Sequence, residues 1–290
     1  MNIYTSINYN LNNNIPYTSR NKEIKEIDKV CRVVINEFPV LSNSKFNSTI
    51  SVSKSPRVKN YVDYLSNLIY KTRIHAYIGR TPQDKLYREI ANMKNYKAGN
   101  CGELSDAAYV ALKLNGYEDV KILDLFAYNK KTKSMRPIDH TVVGVNFKES
   151  ENGGYDFVHT YNNKYLMAQD RYKYRTYPDN KSVIVDPWMG FVDYGKASSE
   201  KFKANKALKV DLDADEELCY IAHKDVFNLE NKDMEYFKNE YPNLIKNKKV
   251  TSVSDTSAYS VKTMSAKIVD ELREAFNLKK TSTNEVTEKI

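Results

Sequence analysis

An ionised cysteine is a strong nucleophile, and this sequence holds three, Cys31, Cys101 and Cys219. Only Cys101 follows a glycine-containing turn, in the run Gly99-Asn100-Cys101-Gly102-Glu103. Downstream, Leu104, Ala108, Ala111 and Leu112 recur at helical spacing, and Asn115-Gly116 supplies a stop, so a helix is expected from about Cys101 to Asn115. A thiol on the first turn of that helix meets unpaired backbone N–H groups and the positive end of the helix dipole, and both stabilise the thiolate. The small neighbour Gly102 leaves room for a carbonyl to approach. The same N–H groups can hold the oxyanion that develops on that carbonyl.

A nucleophilic thiol needs a base, and the base needs an acceptor that orients it. His140 opens the apolar run Thr141-Val142-Val143-Gly144, and Asp186 closes Ser182-Val183-Ile184-Val185 before Pro187-Trp188-Met189-Gly190. Both stand where an expected strand meets a loop. His140 can then take the thiol proton, Asp186 can fix the imidazole tautomer, and Trp188 can shield the pair from water. Asp156, at the start of Tyr155-Asp156-Phe157-Val158, is the rival third member. A plainer account remains open, in which Cys101 merely starts a helix, His140 is a half-exposed strand end and Asp186-Pro187 is a turn opener. His75, His159 and His223 are expected to be structural or surface residues. No CxxC, HxxxH or HExxH spacing supports a metal site, and the 9 glycines form no phosphate-binding loop, so neither metal nor nucleotide cofactor is expected.

The elements that must position these residues run in two blocks. Helical spacing appears over 23–38, where Cys31 falls on the buried stripe, and again over 58–75 and 84–94. The stretch 41–56 reads as a polar loop. Strands are expected at 120–128, 140–147, 155–161 and 182–188, separated by turn chemistry at 149–154 and 177–182. Helices followed by strands imply an α+β fold, with helices packed on an antiparallel sheet, and disfavour a doubly wound parallel one. Further helices are expected at about 234–240 and 262–277. The domain reading is a flexible leader over 1–20, a catalytic domain over 21–195 and a charged, helical C-terminal extension over 196–290.

Composition bounds the classes. With 41% hydrophobic and 28% charged residues among 290, the chain suits a globular protein, and no apolar run is long enough to span a membrane. The start lacks the pattern of a secretory signal peptide. Three scattered cysteines make no disulfide framework. The net charge of +8 is spread among acidic residues, and the 23 tyrosines form no aromatic-basic block, so a nucleic-acid partner is not expected.

Gly99-Asn100-Cys101-Gly102-Glu103, Asp139-His140-Thr141-Val142-Val143-Gly144 and Val185-Asp186-Pro187-Trp188-Met189-Gly190 together resemble the papain-like and transglutaminase-like cysteine hydrolases. Within that group the likeness is greatest to bacterial secreted effector and toxin domains, including glutamine deamidases and effector proteases, and it covers about residues 80–195. The resemblance implies Cys101 as nucleophile, His140 as base, Asp186 as third member and Asn100 as support for the oxyanion hole. It also implies a host-protein substrate, deamidated, transglutaminated or cleaved through a thioester, and synthesis in a bacterial cytoplasm followed by export to a host cytosol. One feature departs from the group: the stretch between His140 and Asp186 is longer than its compact hairpin. The alternatives are a non-enzymatic interaction protein that docks through the region from 196 onward, and a basic nucleic-acid binder. Fold-level likeness alone does not separate them.

Overall fold

Apolar residues spaced by three and four make the first half of the chain helical, and β-branched runs make most of the second half a sheet. The computed structural model describes residues 20–40, 42, 56–77, 79, 81–146, 182–205, 208, 210–222, 227 and 229–245. Helix α1 spans Arg20–Glu37 and buries Ile27, Val30, Cys31 and Val34 on one stripe. Helix α2 covers Pro56–Tyr77 and α3 covers Pro82–Tyr96. Thr81 caps α3, its hydroxyl accepting the Asp84 N–H at 3.0 Å, and Pro82 fits the first turn because no partner is needed for its missing N–H. Helix α4, Cys101–Leu114, is the central one: ten of its 14 residues are buried, many of them small, so neighbours reach it from several sides.

The sheet has five antiparallel strands in the order β4-β3-β2-β1-β5. They are β1 (Val120–Asn129), β2 (Met135–Val145), β3 (Val183–Asp186), β4 (Phe191–Tyr194) and β5 (Glu216–Ala222). Helix α5 (Gly195–Ala204) follows β4, and α6 (Asn231–Glu240) follows β5. Alternation along the strands divides the core between two faces. Val143, Val145, Val183 and Val185 pack with α1, α3 and α4, whereas Leu123, Val142 and Ile184 pack with Phe202 of α5 and Tyr220 of β5. The fold is therefore α+β with helices on an antiparallel sheet.

Two expectations change. Residue 195 is not a boundary: Tyr17–Lys248 is one compact unit, and β5, from the stretch expected to be a helical extension, is a strand paired along β1. It belongs there because Leu218, Tyr220 and Ala222 complete the apolar face that Phe202 covers. Strand β2 also begins at Met135 rather than at His140, so the histidine lies inside the strand. The leader, the strand at 155–161, the helix at 262–277 and the turn at 149–154 fall outside the described residues. Among the described residues no helix is long and apolar enough to cross a membrane.

Candidate active site

The site is built where α4 starts. Asn100 takes the N-cap position in extended backbone and forms a capping box with Glu103. The Asn100 N–H donates to Glu103 Oε2 at 2.8 Å, and Leu104 N–H donates to Asn100 O at 3.2 Å. Arg73 of α2 donates from Nε to Glu103 Oε1 at 2.5 Å. Burial alone would raise the Glu103 carboxyl, but Arg73 and the Asn100 N–H hold it below its ordinary range. The cap is thus anchored to a second helix, and it sets half-buried Cys101 on the first turn. Two glycines flank this geometry. A Cβ on Gly99 would come within 3.2 Å of Met93 Sδ, whereas one on Gly102 would meet no described atom within 4 Å. Among the described residues the space at Gly102, next in the chain to the thiol, is open.

His140 is delivered by an irregularity in β2. The β1 pairing runs from Val145 down to Thr141, opposite Asp124, and resumes at Ile138, opposite Leu125. Asp139 and His140 are extra residues with no counterpart on β1, a bulge of the kind that re-aims a side chain. Asp139 is exposed and His140 is buried. On its other side β2 pairs with β3 as far as Val143 opposite Val185. One step further along this ladder lies Asp186, and the period of two puts it and His140 on one face.

There His140 Nε2 meets Asp186 Oδ2 at 2.6 Å, with both side chains fully buried. The turn after β3 holds the other carboxylate oxygen: Met189 N–H donates to Asp186 Oδ1 at 2.9 Å, and Gly190 N–H donates to Asp186 O at 2.8 Å. Gly190 has φ +76°, a left-handed conformation that favours glycine. Burial opposes a charge on His140, but Asp186 and then Cys101 outweigh it and push the ring pKa up to about 10. His140 Nδ1 is also buried and makes no full hydrogen bond among the described residues, although Cys101 lies close enough to help keep the ring protonated. Aromatic rings enclose the imidazole, Trp188 at 5.2 Å and Phe202 edge-on at 5.5 Å between centroids.

Trp188 is itself held. Its Nε1–H donates to Ser42 Oγ at 2.8 Å, and the Ser42 hydroxyl donates to Asn100 Oδ1 at 2.6 Å. The structure therefore brings together Cys101, His140, Asp186, Asn100, Gly102 and Trp188. Asp156, with His159 and His223, lies outside the described residues, and His75 lies on α2. Cys31 is fully buried near Asp28 and Asp186, and burial first, then those carboxylates, push its thiol well above the ordinary range. Among the described residues no group of three or more His, Cys, Asp and Glu side chains could hold a metal ion.

Four contributors escape the sequence reading. Glu103 carries a signal, since Asn followed three residues later by Glu is a capping-box pattern. Arg73, Phe202 and Ser42 carry none, because each is an ordinary residue in a helix or polar stretch until the chain is folded. The arrangement can exchange a proton between a helix-terminal thiol and a buried imidazole whose far nitrogen is fixed by a carboxylate. No family model, curated protein or solved structure matches this chain.

Proposed function

We propose that the chain is a cysteine-dependent acyl-transfer hydrolase of the papain-like and transglutaminase-like kind. The observation that carries this reading is the buried His140–Asp186 pair at 2.6 Å, with Cys101 among the groups that hold a proton on the ring. A carboxylate on Nε2 and a thiol on the other side of the ring are the two partners that a base in thiol chemistry needs.

In the proposed reaction the Cys101 thiolate attacks a carboxamide or peptide carbonyl, forming the S–C bond and moving the C=O electron pair onto oxygen. Backbone N–H groups at the start of α4, with the Asn100 carboxamide, bind that oxyanion. The His140 imidazolium gives its Nδ1 proton to the nitrogen as the C–N bond breaks, leaving a thioester and ammonia or an amine. Water then loses a proton to His140 and adds to the thioester, and the C–S bond breaks to return the thiolate. A side-chain carboxamide gives deamidation, an attacking amine gives transglutamination, and a main-chain bond gives cleavage. The likeness of the three motifs to bacterial effector domains supports a host protein as the target, reached by export from the bacterial cytoplasm.

The test is the iodoacetamide alkylation rate of each cysteine against pH, followed by mass spectrometry in the wild type and in His140→Ala. The expected result is selective labelling of Cys101 below about pH 7, with the profile moved upward by the histidine change. Cys31 and Cys219 are buried and serve as internal references. If Cys101 reacts no faster than they do, and His140→Ala changes nothing, the hydrolase reading is wrong.

A further inference from the structure

Ser42 lies in a polar stretch with no motif, yet it is only 2% exposed and touches both sides of the site. Its oxygen accepts from the indole N–H of Trp188 and its hydrogen goes to the carboxamide oxygen of Asn100. An indole can only donate, so Ser42 Oγ accepts from Trp188, and a carboxamide oxygen can only accept, so the single Ser42 hydrogen goes to Asn100 Oδ1. The capping box also uses the Asn100 side chain as an acceptor. Two donors therefore assign the oxygen end of the carboxamide, and the NH2 end takes the opposite edge. Asn100 and Trp188 are 8% and 3% exposed, so this relay is buried throughout. A buried polar network rigidifies what it joins only when its members are satisfied.

We propose that Ser42 is a positioning residue for acyl transfer: its hydroxyl fixes the Asn100 carboxamide with the N–H edge presented to the carbonyl oxygen under attack. The inference rests on the acyl-transfer reading of Cys101, His140 and Asp186. It adds that the oxyanion donor next to the nucleophile is set by one hydroxyl from a distant part of the chain. Without that hydroxyl only the capping-box N–H holds the oxygen end, and the carboxamide more readily turns over, bringing its oxygen where a developing negative charge needs a donor.

Two reagents separate positioning from folding. Iodoacetamide alkylates a thiolate by displacement at carbon and builds no oxyanion, whereas 4-nitrophenyl acetate acylates it through one, with nitrophenolate leaving as the acetyl–sulfur bond forms. Both rates are measured at pH 7 on the full chain, in the wild type, Ser42→Ala, Ser42→Thr, Asn100→Ala and the double alanine variant. Ser42→Ala is expected to slow acylation by about tenfold to a hundredfold while alkylation of Cys101 stays within about twofold of wild type. The double variant is expected to acylate no more slowly than Asn100→Ala, because Ser42 acts through Asn100. Ser42→Thr keeps the hydroxyl and is expected to acylate within about threefold of wild type.

Unchanged acylation in Ser42→Ala, losses that multiply in the double variant, or a loss in Ser42→Thr as large as in Ser42→Ala would each overturn the proposal. So would equal losses of both reactions in Ser42→Ala, which is the outcome of a purely structural role. The acyl-transfer reading fails separately, when wild-type Cys101 is no more reactive to iodoacetamide than Cys31 and Cys219.

Discussion

At His140 two opposed forces are large and one wins. Burial drives the ring toward neutrality, whereas the carboxylate at 2.6 Å, backed by Cys101, lifts its pKa from 6.5 to about 10. The folded protein therefore binds a proton more tightly than the unfolded chain does. The stabilisation from this pair is full below about pH 6.5, declines above it, and is lost as pH rises through about 10. Urea unfolding of the wild type and of Asp186→Asn across that window is expected to give a difference in stability that shrinks as pH rises. A difference that is constant with pH would mean that the pair is not charged. Cys101, His140 and Asp186 were legible because Cys101 opens a helix, Asp186 closes a strand and His140 begins an apolar run, although its strand itself starts earlier, at Met135. Ser42 was not, since nothing in a stretch of serines, asparagines and lysines distinguishes the one hydroxyl that becomes buried.

The elements contribute through their irregularities as much as through their regular parts. Helices α1 to α4 were readable from apolar spacing, α4 to within one residue because Asn115-Gly116 ends it, whereas α5 was not singled out. The bulge in β2 was not, as pairing register depends on a partner strand. Strand β5 was hidden by its acidic approach, Asp211 to Glu217, and by burial of five consecutive residues, which erases the alternation that marks a strand. Where α3 packs on α4 there is a price in stability. Glu89 is buried, and burial with the nearby Glu103 pushes its carboxyl up to about 7, while its half-buried neighbour Asp106 is raised by the same burial and by Glu89. A carboxyl raised in this way weakens the fold progressively above its unfolded value near 4.5, and the cost is complete above about pH 7. Glu89→Gln is therefore expected to stabilise the protein at pH 8 by roughly 1 to 3 kcal/mol, with the gain vanishing below about pH 4. Thermal melts of the two proteins at both pH values check this, and equal melting temperatures at pH 8 would contradict it.

Across the whole molecule the site draws on residues 42, 73, 100–103, 140, 186–189 and 202, so it exists only when the helical half has closed on the sheet. Neither half builds the imidazole pocket alone, and the region beyond 195 supplies one wall of it through Phe202. Composition gives this arrangement an optical consequence. Trp188 is the one tryptophan in 290 residues, and its ring lies 5.2 Å from that of His140. An imidazolium at that distance quenches indole emission, and a neutral imidazole does so much less. The fluorescence of the whole protein therefore reads out a single proton. Emission of the wild type relative to His140→Phe is expected to brighten as pH rises through about 10, the comparison removing the 23 tyrosines that ionise in the same range. The His140 ring can in this way be titrated in the intact chain.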